Sequence, residues 1–222
     1  MRYQEFLDEI KFYAEPGYRD FHKKLLKNDK IDVLGVRVPM LRKLAKKYKS
    51  EVDTLLSFPD EYYEITFIKL TAVSLLEYAA MVARLDACIK LIDNWATCDC
   101  FNPKCVSKHK DEFLPVIREY AARTGEFEQR FALTSLLHFY VEEKYLETIF
   151  AIVERCDTSK YYVHMAAAWL IAETLAKYYP RARGFLMENS LDKKTHNKAI
   201  QKSCESFRLS NDEKNYLKGM KR

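Results

Sequence analysis

Apolar residues recur at three- and four-residue spacing along almost the whole chain. Over Tyr3–Ala14, Phe6, Ile10 and Tyr13 share one face, which predicts an amphipathic helix. Pro16 and Gly17 read as a break, and the pattern resumes over Tyr18–Lys27 with Phe21, Leu25 and Leu26. A turn at Gly35 leads into a helix whose first residue is read as Pro39. Leu41, Leu44 and Tyr48 line one face of it, while Arg42, Lys43, Lys46 and Lys47 crowd the other. Glu61–Arg84 reads as one long helical stretch carrying Ile65, Ile68, Ala72, Leu75, Leu76, Ala79, Val82 and Ala83 in phase. Leu85–Thr97, Phe113–Ala122, Glu126–Tyr140, Tyr145–Arg155 and Tyr161–Tyr179 follow, with Pro103, Gly125 and Pro180 as interruptions. Lys194–Phe207 and Asn211–Lys221 complete the series.

No segment alternates at strand spacing. Helix pairs recur at roughly 35–40 residues, a period typical of helical solenoids. The expected fold is therefore all-α, with residues 1–222 as a single domain of stacked antiparallel helix pairs. Such arrays curve and bind on the concave face.

Composition narrows the class. The 222 residues include 48% hydrophobic and 31% charged residues, which excludes a disordered chain, and only 5 Gly and 6 Pro, which argues against a sandwich or barrel. Lys and Arg number 37 against 32 Asp and Glu, an excess too mild to identify a partner by itself. The opening MRYQEFLDEIKFYAEPG is charged and amphipathic, unlike a secretory signal, and no apolar run approaches the roughly 18 residues of a membrane helix. A cytoplasmic monomer with its six cysteines reduced is expected.

The densest chemistry lies in DNWATCDCFNPKC, residues 93–105, where Trp95 and Asp99 are four apart and share a helical face. Arg130 stands in EFEQRFALTSLLHF, and the second of only two tryptophans, Trp169, in YYVHMAAAWLIAE. Taken singly, each has a plain structural reading: tryptophan as packing, Asp or Arg as a helix-end charge. Cys98, Cys100, Cys105 and His109 invite a zinc reading, but the spacing is not that of the common modules. The cysteines are read as small buried hydrophobes, with no metal and no cofactor. His22, His109, His138, His164 and His196 are scattered, with no nucleophile motif and no glycine-rich phosphate loop nearby.

Four segments, in order, resemble the alkylpurine DNA glycosylases of the HEAT-like repeat type, the DNA alkylation repair enzyme family. LGVRVPMLRKLAK is similar to its early Gly-x-x-x-Pro-x-x-Arg segment, and DNWATCD to its Trp-x-x-x-Asp motif. EFEQRFAL is similar to its Arg-x-Ala-Ile/Leu segment, and YYVHMAAAWLIAETLAK to its second aromatic segment. The resemblance implies a HEAT-like array that hydrolyses the N-glycosidic bond of cationic alkylated purines in double-stranded DNA. Asp99 would be the catalytic carboxylate, with Trp95, Trp169 and Arg130 flanking the lesion and its backbone. It further implies a duplex held along the concave face with the lesion contacted from the side.

These residue types suit that reaction. A purine alkylated at N3 or N7 leaves as a neutral base, so no general acid is needed. A carboxylate can stabilise the oxocarbenium-like sugar and orient water. Tryptophan faces attract cations, and Arg suits a phosphate. Two departures oppose phosphate binding: Met165 and Ala172 are neutral where basic residues are expected near Trp169, and Asn197 stands where a relative carries Arg. Arg37, Lys43, Lys47, Lys104, Lys108, Lys198 and Lys202, with Arg130, are expected to supply the basic surface, and Lys110 adds to it. The rival expectation is a non-catalytic member of the same fold that binds DNA structure or scaffolds other proteins.

Overall fold

The computed structural model describes residues 2–26 and 30–222; all regular secondary structure among them is helical. The chain divides into two compact units, residues 1–108 and 109–222. The first contains α1 (Tyr3–Phe12), α2 (Pro16–Leu26), α3 (Val38–Tyr48), α4 (Val52–Ser57), α5 (Tyr63–Ser74), α6 (Tyr78–Val82), α7 (Leu85–Lys90) and α8 (Trp95–Cys100). The second contains α9 (Lys110–Ala122), α10 (Glu126–Phe139), α11 (Leu146–Arg155), α12 (Tyr161–Lys177), α13 (Tyr179–Glu188), α14 (Lys193–Cys204) and α15 (Asn211–Gly219).

The centre of the first unit is α5, buried at every position from Tyr63 to Val73 and packed by α3, α4, α7 and α8. Its sequence includes two ionisable residues that are completely enclosed, Glu64 and Lys69. Each is tolerated because it ties a loop to the helix. Glu64 accepts the backbone N–H groups of Leu34 at 2.9 Å, Gly35 at 2.8 Å and Val36 at 3.2 Å. Burial pushes its carboxyl group up, against the pull of those donors. Lys69 donates to the Phe58 carbonyl at 2.5 Å and to Asp60 at 2.9 Å.

Gly35 has φ +94°, and a Cβ there would lie 2.5 Å from the Glu15 carbonyl oxygen and 2.7 Å from the Arg19 backbone nitrogen. Both conformation and space demand glycine. Gly35→Ala should therefore cost about 2–3 kcal/mol in urea unfolding, summing a left-handed backbone and a backbone clash. A midpoint within error of wild type would contradict this packing.

In the second unit α10, α12 and α14 lie side by side, with α9 against α10, α13 against α12 and α15 against α14. Helix α11 touches α9 and α13. Successive helices thus pair, as stacked-repeat folds require. Both α10 and α12 are buried over most of their circumference, so neither shows a strong amphipathic stripe.

Several boundaries differ from expectation. Glu61–Arg84 is two helices: Leu75, predicted to be in phase, is 42% exposed, and α6 buries Met81 instead of Val82. The phase slips because the chain turns at 75–77, once α5 has left the core. Leu85–Thr97 likewise divides, so that Trp95 starts a helix of its own. Pro16 and Pro180, read as breaks, lie in the first turns of α2 and α13, where the missing N–H costs nothing. Pro39 is likewise in the first turn of α3, behind the N-cap Arg37 and Val38. Helices α4 and α13 were not expected. The expected end of the second helix at Lys27 lies outside the described residues.

Candidate functional site

Helix α8 is short, and its position is set at its first turn. The N-cap Asn94 side chain accepts the Thr97 backbone N–H at 2.9 Å, and Thr97 and Cys98 are buried. This leaves Trp95 and Asp99, one turn apart, on the half-exposed side. The Trp95 indole N–H points to the Leu25 carbonyl of α2 at 3.4 Å, which fixes the plane of the ring. The sequence motif therefore folds onto one side of α8: an oriented indole and, one turn on, a half-exposed carboxylate.

In the second unit Arg130 and Trp169 line one cleft of about 450 Å³, together with Met165, Ala172, Lys202 and Arg208. Trp169 on α12 is 42% exposed and packs edge-on against His138 of α10, with ring centroids 6.5 Å apart. Arg130 is 5% exposed; its Nη1 donates to the Tyr162 carbonyl at 3.0 Å, and its guanidinium lies 5.8 Å from the Tyr162 ring centre. It is thus held at the α12 N-terminus as much as offered to a ligand. Met165 and Ala172 give the cleft an apolar lining around the indole.

Two carboxylates also line this cleft. Glu173 receives Arg208, with Nη1 at 2.9 Å from one oxygen and Nη2 bonded to the other, and Glu205 receives Lys202 at 2.9 Å. These partners hold both carboxyl groups below their ordinary values. Three cations against two carboxylates leave the cleft modestly positive. An aromatic face, apolar walls and a cationic rim suit a nucleotide-like ligand.

The remaining predicted basic residues are spread. Arg37 makes a bidentate pair with Glu15, and Lys47 pairs with Glu9 at 2.7 Å. Lys198 donates to Gln201 at 3.1 Å. Lys43, Lys104 and Lys108 are exposed and form no ion pair among the described residues. Lys110 pairs with Glu142. Sequence reasoning missed Arg208, Glu173, Glu205 and Ser206 as cleft residues. Arg208 and Glu173 meet across 35 residues, a separation that carries no local signal.

Burial pushes the Cys88 and Cys156 thiols up to about 12, so both are inert as nucleophiles at neutral pH. Among the described residues no group of three or more His, Cys, Asp or Glu side chains is gathered as a metal site would need. No helix among them is long and apolar enough to cross a membrane.

Comparison with known proteins agrees with the resemblance in the motif segments. The family model described as DNA alkylation repair enzyme matches residues 6–205. A search of curated proteins returns no match.

Proposed function

Since the chain belongs to the DNA alkylation repair enzyme family, we propose that it is a monofunctional glycosylase. It hydrolyses the N-glycosidic bond of cationic alkylated purines, of the 3-methyladenine and 7-methylguanine type, in duplex DNA. The observation that carries this reading is the α8 pair: an indole oriented by the Leu25 carbonyl and, one turn on, the half-exposed Asp99 carboxylate.

In the proposed reaction the C1′–N bond breaks with its electron pair moving to the purine, which leaves neutral. The sugar becomes oxocarbenium-like, and Asp99 offsets that charge. Water adds at C1′ and loses a proton, leaving an abasic site. At ~4 Å and an effective dielectric of about 20, one charge pair is worth on the order of 4 kcal/mol, roughly a thousandfold in rate if realised in the transition state alone. Trp95 adds cation–π attraction of about 0.5–2 kcal/mol. Trp169 and Arg130 would contact the nucleotide and its backbone, and Lys43, Lys104 and Lys108 would steer the duplex. The reading includes a cytoplasmic monomer, residues 1–222 as one HEAT-like domain with a concave DNA-binding face, and no cofactor.

A second reading, a non-catalytic DNA-binding member of the family, is favoured by one observation: the cleft around Trp169 has neutral Met165 and Ala172, and two of its cations are already paired with carboxylates. Incubation with methylated duplex DNA separates the two. The glycosylase releases 3-methyladenine or 7-methylguanine and leaves alkali-labile abasic sites. Salt-sensitive duplex binding without any base release would establish the second reading instead.

A further inference from the structure

The family match ends at residue 205, yet the Trp169 cleft continues beyond it: Ser206 and Arg208 also line its wall. The segment that carries them is firmly seated. Leu209 is buried and Leu217 of α15 is fully enclosed. The Ser210 side chain caps α15 through a reciprocal pair with Glu213. Beyond α15, Arg222 donates to the Leu191 and Asn189 carbonyls at 2.8 Å each, and its backbone exchanges hydrogen bonds with the Asn197 side chain. The Met220 carbonyl faces the ring of the buried His196 at 3.0 Å. Residues 206–222 are therefore anchored to the second unit at Leu209, Leu217 and Arg222, and Arg208, next to buried Leu209, is held by Glu173.

Resting on the glycosylase reading, we infer that Arg208 is a DNA phosphate-binding residue of the Trp169 cleft, supplied by a segment outside the family-matched span. The guanidinium is half-exposed, and Glu173 takes one N–H from each terminal nitrogen, leaving the Nε–H and the outer N–H groups for a phosphodiester oxygen. Glu173 directly follows Ala172 on α12, so the pair delivers a cation from α15's side of the cleft to the α12 wall, whose own Lys177 also meets Glu173, at 3.7 Å, but is not among the cleft-lining residues. Arg130 cannot take this part alone, because it is nearly buried and donates to Tyr162. Pairing to a carboxylate also orients Arg208 before DNA arrives, which reduces the rotamer freedom lost on binding.

The test compares duplex binding by full-length wild type, Arg208→Gln, Arg208→Lys and Lys218→Gln as a function of salt. Lys218→Gln removes the same charge from the same segment at an exposed site on α15, outside the cleft-lining residues. Arg208→Gln should weaken binding about tenfold and flatten the slope of log affinity against log salt by about 0.9, one phosphate contact. Arg208→Lys should keep most of the slope, and Lys218→Gln nearly all of it. Base release at saturating enzyme should stay within about twofold of wild type for Lys218→Gln, whose site lies outside the cleft. A wild-type slope in Arg208→Gln, or equal losses in Arg208→Gln and Lys218→Gln, overturns the assignment and leaves the glycosylase reading intact. If Arg208 only braces Glu173, Arg208→Gln lowers the melting temperature and leaves the slope unchanged, which overturns it equally. Salt-independent binding, or none, by wild type overturns both.

Discussion

Asp99→Asn is expected to slow alkylpurine release about a thousandfold under single-turnover conditions, with duplex affinity within about threefold of wild type. Asparagine keeps the shape and part of the hydrogen bonding of aspartate and loses only the charge. A carboxylate that offsets a developing cation acts in the transition state, so its loss falls on the chemical step and not on ground-state binding. Removing a negative charge beside a polyanion acts, if anything, toward tighter binding. Trp95→Ala should behave differently. The half-buried indole packs at the start of α8 and bonds to Leu25, so its removal should lower stability, affinity and rate together. Equal, nonzero release by wild type and Asp99→Asn would leave the glycosylase class standing and remove Asp99 from its role.

The second large effect concerns stability. Glu64→Ala should destabilise the protein by about 3–5 kcal/mol, because three buried or partly buried backbone N–H groups at Leu34, Gly35 and Val36 lose their acceptor. Each unsatisfied buried donor costs about 1–3 kcal/mol, and the vacated carboxylate adds a cavity. Glu64→Gln should fall between, since its amide oxygen can still accept while its NH2 group faces a donor. The expected order in urea midpoint is wild type, Gln, then Ala. A Glu64→Ala chain within 1 kcal/mol of wild type would mean that this loop does not depend on the carboxylate. The consequence reaches beyond α5. The strapped loop leads directly into α3, and its Gly35 backbone bonds the chain between α1 and α2 at Glu15. Loosening it should loosen α2, whose Leu25 carbonyl receives Trp95. Glu64→Gln is therefore also expected to lose some activity while Asp99 itself is untouched.

Amino-acid order alone determined the helical class. Apolar spacing of three and four residues, with few glycines, has no solution except helices that bury a stripe. It also identified the α8 pair, because Trp95 and Asp99 are close in sequence and an intervening helical turn is enough to bring them onto one side. Gly35 was legible too, since a turn signal and a positive φ go together. Prolines were the weak point: Pro16 and Pro180 look like stops, but a first helical turn accepts them, and neighbouring packing decides which it is. The tertiary structure alone decided what lies far apart in sequence. Nothing in the local spacing singles out Glu64, whose burial goes with a loop about 30 residues earlier that donates three backbone N–H groups to it. Arg208 reaches the Trp169 cleft through a partner 35 residues away. Arg130 looks like a free cation and is instead drawn in by the Tyr162 carbonyl. Local periodicity reports which side of a helix is apolar. Which charge is enclosed, and which faces a ligand, depends on the helices that close over it.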